Sequence, residues 1–421
     1  MNNQQVDCGF DTTPQPLLSI DEALEILTSS AKVTDSTQLI ELDDALNRML
    51  AVDIHANISV PGFDNSAMDG YAINLKENQI NTPSEFVFEV TDRIPAGSTG
   101  NSLKSGCAAR IFTGAPIPKG ANTVLMQEEC TLIENKSKIE VYRSISLGEN
   151  IRPMGNDIQS GDVILPKGKQ LQPQDIALVA SVGIGKLEVF DKIKVGVFFT
   201  GNELVKLGDT LQQGQIFNSN RYSLVALLNK LGCEIINLGN IKDTFNATCD
   251  ALEALKSDCD LIITTGGVSV GEEDYIKSAI EKLGQLNLWR IKIKPGKPLA
   301  FGNIGHCAFI GLPGNPVSAM VTFLLFARPF IKKMQGASHY LNTAVKIQVN
   351  FDWHQSKPRC EFVRVRLDYT TFPAKANLYP KQGSDVLSSM VWADGLIEIP
   401  EKTTFKQGEV LNFYPLNKML S

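Results

Sequence analysis

Between Lys192 and Ile331 short apolar runs alternate with helix-like stretches of ten or more residues, and few folds accept that pattern. The apolar runs are Val195–Phe199, Glu234–Leu238 and Leu261–Thr264. The stretches between and after them are Tyr222–Leu231, Phe245–Ser257, Asp274–Leu283 and Pro316–Ile331. This alternation predicts a parallel α/β sheet. In such a sheet ligands bind beyond the carboxyl ends of the strands, so three loops become the first places to look for chemistry.

Elsewhere the period differs. At 421 residues the chain exceeds what one core holds, so several domains are expected. Ser19-Ile20-Asp21-Glu22 reads as a capping box, and Ala23, Leu24, Ile26 and Leu27 continue a helical face. A second helix is expected over Asp43–Leu50. From His55 to about Leu147 short strands and Gly/Pro turns dominate: Phe86–Val90, Ala108–Phe112, Thr123–Gln127 and Lys138–Tyr142. Pro173–Val182 predicts a helix leading back to the first element. After Gly336 the pattern is β-like again (Ala344–Val349, Phe362–Leu367, Gly395–Ile399, Val410–Tyr414), a barrel or sandwich. The expected organisation is an α/β and β multidomain chain. A helical platform from 16–55 and 148–190 carries an inserted β domain at 56–147. An α/β domain follows at 191–337, and a C-terminal β domain at 340–421.

Net charge is −6, from 40 basic and 46 acidic residues, and no long basic block occurs, which argues against a general nucleic-acid binder. Met1–Gln15 is polar and shows no secretory pattern. The most apolar run, Val317–Ile331, is short for a bilayer and broken by Arg328 and Pro329, so no membrane role is expected. Eight cysteines without a Cys-x-x-Cys point to reduced thiols in a cytoplasm. With only four dispersed histidines, a His-built metal centre is not expected.

The three loops at the strand ends are informative. Thr200-Gly201-Asn202-Glu203 supplies a Gly turn and a carboxylate, and the next presents Lys242 and Asp243. The third, 265–274, brings Gly266, Gly267 and Ser269 ahead of a helix starting near Asp274, an arrangement suited to an anion. A Gly-rich turn serves tight packing as readily, and it lacks Walker or dinucleotide spacing. Glu203, Asp243 and Asp274 together could hold Mg²⁺, although each alone reads equally as a helix cap. Nearby, Arg290-Ile-Lys-Ile-Lys294-Pro-Gly-Lys297-Pro298 is the one dense cationic cluster. Read as an extended strand, it puts Arg290, Lys292 and Lys294 on one face. That run also fits an exposed strand face. Leu312-Pro313-Gly-Asn-Pro316 is a helix start and a second candidate anion site. Upstream, Val60–Ile73 packs Asp64 and Asp69 among Pro61, Phe63, Met68 and Tyr71, the composition of a cleft wall or of an Asx-turn with a cap.

Taken in order, these motifs resemble the molybdopterin molybdenumtransferase family, the MoeA type whose relatives include the E domain of gephyrin. The matching segments are PGFDNSAMDGYA (61–72), RIPAG (93–97), RIFTGAPIPKGANTV (110–124), GENIRPMGNDI (148–158), FFTGNEL (198–204), TTGGVSVGEEDY (264–275), IKPGKPLAFG (293–302) and GLPGNPVSA (311–319). The resemblance implies an elongated homodimer of four-domain subunits, with an α/β domain like molybdopterin adenylyltransferase and a C-terminal β-barrel. It implies Mg²⁺-dependent joining of molybdate to adenylylated molybdopterin, with release of AMP. Molybdopterin adenylyltransferase and molybdoenzyme-maturation proteins are the partner classes it brings with it.

By the same resemblance Asp69, Thr113 and Asp157 are cleft residues, and Glu203, Asp243 and Asp274 form the opposite acidic wall. Glu203 and Asp274 are the implied Mg²⁺ ligands. Gly266, Gly267, Ser269, Arg290, Lys294, Lys297, Pro298, Pro313, Pro316, Arg364 and Ser384 match substrate-binding positions. Two departures stand out: Arg290 occupies a position where Lys is common, and Asn218 one where some relatives carry Asp. Two rival readings are a nucleotidyltransferase, which would consume ATP without molybdate, and a non-catalytic scaffold, which would bind a protein partner without inserting molybdenum.

Overall fold

The computed structural model describes residues 17–76, 84–267 and 275–420. Its centre is a six-stranded sheet in the order Glu234–Asn240, Lys194–Phe199, Leu261–Thr265, Cys307–Leu312, Pro298–Ile304, Gln285–Arg290. The first four strands run parallel, as expected. Pro298–Ile304 runs against them and Gln285–Arg290 is antiparallel to it in turn, a departure from the wholly parallel reading. A tight turn at Gly305, φ 63°, folds Pro298–Ile304 back on Cys307–Leu312 with no room for a helix between them.

Alternation along each strand sends side chains to both faces, and both are covered. Val195, Val197 and Phe199 meet Leu224, Leu228, Val317 and Phe330 on one side, while Phe198 and Ile262 meet Leu252, Ile276 and Ile280 on the other. Gly196 is required by this packing, because a Cβ there would lie 2.9 Å from Leu255 Cδ2. Each fully buried Phe or Ile contributes about 2 to 3 kcal/mol, so this double layer is the stability reservoir of the chain. The capping box at Ser19 forms, and its helix, Ile20–Ser30, joins the same core through Ala23 and Leu27.

The middle β unit is a second six-stranded sheet: Thr123–Met126, Gly70–Ile73, Cys107–Ile111, Ser84–Ile94, Lys138–Arg143, Thr131–Ile133. Tyr71 and Ile73 pack on one face, Ala72 and Ala109 on the other. The segments on either side of this unit in sequence are less helical than their pattern predicts. Thr37–Glu41 pairs with Lys186–Phe190, and Ile54–His55 with Val163–Leu165. The helix expected over Asp43–Leu50 is absent; only a 3₁₀ turn, Leu42–Asp44, forms. The backbone of Asn47 and Leu50 instead donates to Leu171 and Lys169, and Asn47 turns with φ 64°.

At the C-terminus Val345–Val349, Lys375–Leu378, Cys360–Asp368, Gly395–Ile399 and Val410–Pro415 pair in a ring that closes on itself, a five-stranded barrel. Val363, Val365, Ile397 and Phe413 fill it. Ile293–Lys294 adds to its Cys360–Asp368 strand in parallel, tying the barrel to the α/β unit. The basic run therefore does not form one strand. Gln285–Arg290 belongs to the α/β sheet and Ile293–Lys294 to the barrel, so Arg290 and Lys294 pair with different sheets.

The long helix after Leu312 passes through a π-helical turn, Phe323–Ala327, into Arg328–Met334. It buries Lys332, whose ammonium donates to Gln170 Oε1 at 3.0 Å. Burial, helped by the Arg328 charge, pushes this ammonium down from 10.5 to about 8. Between those values the unfolded chain holds the extra proton, so stability rises with pH there, and below about pH 8 the full penalty applies. Lys332→Met is therefore expected to be more stable than wild type at pH 7, by about 1 kcal/mol. The gap should close as pH approaches 10, as read by chemical denaturation at a series of pH values.

Candidate active site

The parallel strands end on one side, and the loops there build a cleft of about 1110 Å³. Thr200 and Glu203 come from the end of Lys194–Phe199, and Thr265, Gly266 and Gly267 from the end of Leu261–Thr265. Pro313, Asn315 and Pro316 open the long helix. The opposite wall is Lys294, Pro295, Gly296, Lys297 and Pro298, and the barrel completes it with Arg359 and Gln382–Asp385. Two glycines are sterically required. A Cβ on Gly267, φ 61°, would lie 2.6 Å from Ile276 Cδ1. One on Gly296, φ 101°, would lie 2.3 Å from Thr322 Oγ1.

Lys294, Lys297 and Arg359 face the cleft from the wall that the barrel completes, while Glu203 enters from the strand-end loops. Lys294 is in part neutralised by Glu361, with Nζ 3.5 Å from Oε2. Lys297 is exposed and forms no ion pair among the described residues. Glu203 is exposed, and its carboxylate curls back so far that a Cβ on Gly201 would meet it at 2.7 Å. Asp243 sits one layer behind: Thr200 Oγ1 donates to its Oδ1 at 2.6 Å, and Thr200, not Asp243, lines the cleft.

Asn218 caps the Ser219–Lys230 helix by accepting from Arg221 N, and its amide donates to Asn240 Oδ1 at 2.7 Å. A neutral, fully engaged Asn at this place is a structural cap. Asn220 beside it donates to Gly314 O at 2.7 Å and so ties the helix start to the Pro313 loop.

Asp69, Thr113 and Asp157 lie on the middle β unit and its flank, and none of them lines the cleft. Asp69 Oδ1 accepts from both the N–H and the hydroxyl of Thr113, each at 2.8 Å. These bonds, with Arg110 nearby, hold its carboxyl below the usual range. Arg110 reaches across to Gly70 O and rests on the Tyr71 and Phe112 rings. Asp64 fixes the adjoining turn by accepting from Met154 N at 2.8 Å. Phe63, Met68 and Met154 are exposed along the same rim.

Of the residues singled out from sequence, the cleft gathers Glu203, Gly266, Gly267, Lys294, Lys297, Pro298, Pro313, Pro316 and Ser384. Arg290 ends an edge strand and stays outside it. Ser269 and Asp274 lie outside the described residues. Arg364, expected to touch an anion, is fully buried behind the wall. Its Nη2 donates to Gly383 O at 2.9 Å and its Nε to Ser389 Oγ at 3.0 Å, while Gln382 bonds both its backbone N–H and its C=O. It shapes the loop that carries Ser384, whose carbonyl in turn accepts from Val317 N at the helix start. Sequence reading missed Arg359, Gln382 and Asp385. The basic pair Lys357-Pro-Arg359 just before a strand was the available signal for the first.

Family models match nearly the whole chain: the MoeA N-terminal region (domain I and II) over residues 18–183, a probable molybdopterin binding domain over 196–333, and the MoeA C-terminal region (domain IV) over 346–416. A molybdopterin molybdenumtransferase from Haemophilus influenzae is 39% identical over 409 residues, 96% of this chain and 100% of that protein. One from Nostoc is 35% identical over 83% of this chain and 82% of its own. The crystal structure of a molybdopterin biosynthesis MoeA protein from Pyrococcus horikoshii superposes with a TM-score of 0.82 at 32% identity, covering 95% of this chain and 100% of that one.

The buried network around Arg364 makes a stability prediction. Arg364→Met strands the Gly383 carbonyl and leaves Ser389 Oγ with only its bond to Val386 O, and should cost about 3 kcal/mol in urea denaturation. Ser384→Ala, which leaves that network intact, should stay within about 0.5 kcal/mol of wild type. An arginine that only touched ligand would show no such difference.

Proposed function

The chain belongs to the molybdopterin molybdenumtransferase family, and from that premise we propose that its cleft seats molybdate beside adenylylated molybdopterin and releases AMP. Family membership makes it a transferase of molybdenum cofactor biosynthesis. The observation that carries the finer reading is the cleft itself, in which Lys294, Lys297 and Arg359 line the same space as Glu203. No His or Cys stands among the described lining residues to act as base or nucleophile.

Molybdate is a dianion and the pterin substrate carries a pyrophosphate, so their approach is electrostatically unfavourable. The two lysines and Arg359 offset that repulsion and orient the oxyanion, and the strand-end N–H groups at Gly266 and Gly267 add neutral donors. One molybdate oxygen leaves as water with the two dithiol protons as both sulfurs bind molybdenum, and water cleaves the adenylyl phosphoanhydride into AMP and the pterin's terminal phosphate. The protein supplies position and field and no covalent intermediate. Glu203, with Asp274 as its proposed companion, suits Mg²⁺, which takes one or two carboxylates and completes its shell with phosphate oxygens and water. Bound there, Mg²⁺ would supply charge stabilisation to the departing AMP.

Asp69, Thr113 and Asp157 enter this scheme through a second copy of the chain. Their absence from the cleft and the exposed apolar rim of Phe63, Met68 and Met154 support a homodimer in which one subunit's β unit closes the other's cleft. Asp69, held ionised by Thr113, then adds to the acidic side. A cytoplasmic setting accords with the cysteines, since those among the described residues are free thiols. Molybdopterin adenylyltransferase supplying the substrate, and maturation proteins taking the product, are the partners this reading calls for.

Molybdate-dependent AMP release tests the scheme. Lys297→Ala and Asp274→Asn should each lower kcat/KM by about 100-fold, and chelation of Mg²⁺ should abolish turnover until Mg²⁺ is restored. Unchanged rates in both variants would sink the site assignment. Subunit sharing is tested by mixing inactive Asp69→Asn and Lys297→Ala proteins. Random exchange should recover about a quarter of wild-type activity, because half the dimers then hold one intact cleft. No recovery would mean each cleft is built from one chain.

A further inference from the structure

Glu361 and Asp175 are the buried carboxylates among the described residues, and only Glu361 lies against the cleft's cationic wall. It stands on the barrel strand Cys360–Asp368, directly opposite Lys294 in the parallel pairing of Ile293–Lys294 with that strand. Its Oε2 is 3.5 Å from Lys294 Nζ, and its Oε1 is 2.9 Å from Lys357 Nζ. The Lys357 ammonium stands off the direction of a hydrogen bond, so that contact is a charge pair, and among the described residues no other group donates a hydrogen bond to Oε1. Lys357 does not line the cleft; its ammonium lies over the Trp353 ring at 4.9 Å. Glu361 is thus shared between a lysine that faces the ligand and one that does not.

We propose that Glu361 is a positioning residue that aims Lys294 at the oxyanion and, through its division between Lys294 and Lys357, sets how much positive charge the cleft presents. This deepens the function proposed above and rests on it. A buried carboxylate must be paired, and its charge is split between the two ammonium groups. Weakening either arm moves the cleft potential in a defined direction. Without Glu361, Lys294 regains its full charge toward the ligand but loses the contact that orients it. Without Lys357, Glu361 draws on Lys294 alone and the cleft becomes less attractive to anions. The two changes have opposite signs, which general loosening of the barrel does not produce.

The test is steady-state turnover of Glu361→Gln, Glu361→Asp and Lys357→Met, with molybdate varied at saturating adenylylated molybdopterin. For Glu361→Gln the expected result is a KM for molybdate lowered about threefold with kcat reduced about tenfold. Glu361→Asp, which restores the charge on a shorter arm, should recover part of kcat. For Lys357→Met, KM should rise about threefold with kcat near wild type. If Glu361→Gln does not fold, as judged by circular dichroism, Lys357→Met decides alone. Shifts of KM in the same direction in Glu361→Gln and Lys357→Met, or no shift in Lys357→Met, overturn the inference while leaving the functional reading in place. A wild-type protein that binds neither molybdate nor AMP by calorimetry overturns both.

Discussion

Two residues of backbone pairing, Ile293 and Lys294 against Cys360 and Glu361, hold this site together. The chain leaves the α/β sheet at Arg290, pairs briefly with the barrel and re-enters the sheet at Pro298. The Pro-Gly turn between is therefore fixed at both ends to different folding units. Lys294 and Lys297 project from it, so the position of the positive charge depends on the seam between the units. Arg364 serves the same seam from the other side by holding the loop whose Ser384 carbonyl accepts from Val317 N.

Much of this architecture was legible in the residue pattern, because Val195–Phe199 and Leu261–Thr265 are buried throughout and read as unbroken apolar runs. The capping box at Ser19 and the helix after Thr244 behaved as local rules say they should. What failed was non-local. Asp43–Leu50 has helical periodicity, but its backbone donors are taken by Lys169 and Leu171, more than a hundred residues away. The basic run departs from its pattern for a similar reason: Arg290, Lys292 and Lys294 alternate correctly for one strand, yet two sheets compete for them.

The site was read with a similar division. Glycines and prolines that shape the cleft were visible as local turn chemistry, and the cations stood out against an acidic background. Arg364 could not be placed from sequence, because an arginine in a motif looks the same whether it meets a ligand or a carbonyl. Only its burial and its bonds to Gly383 and Ser389 tell these apart. Glu361 gave no signal at all, since a Glu near a lysine at a strand start is ordinary until tertiary pairing brings Lys294 to it beside the local Lys357.

The barrel's share in the cleft also bears on how such a protein can diversify. Strand ends of the α/β sheet are committed to a common scaffold, where Gly267 and Gly296 leave no space for variation. Arg359 and the 382–385 loop belong instead to an appended unit with its own core. Drift in that appendage can reshape the barrel-built half of the cleft while the sheet-built half stays as it is.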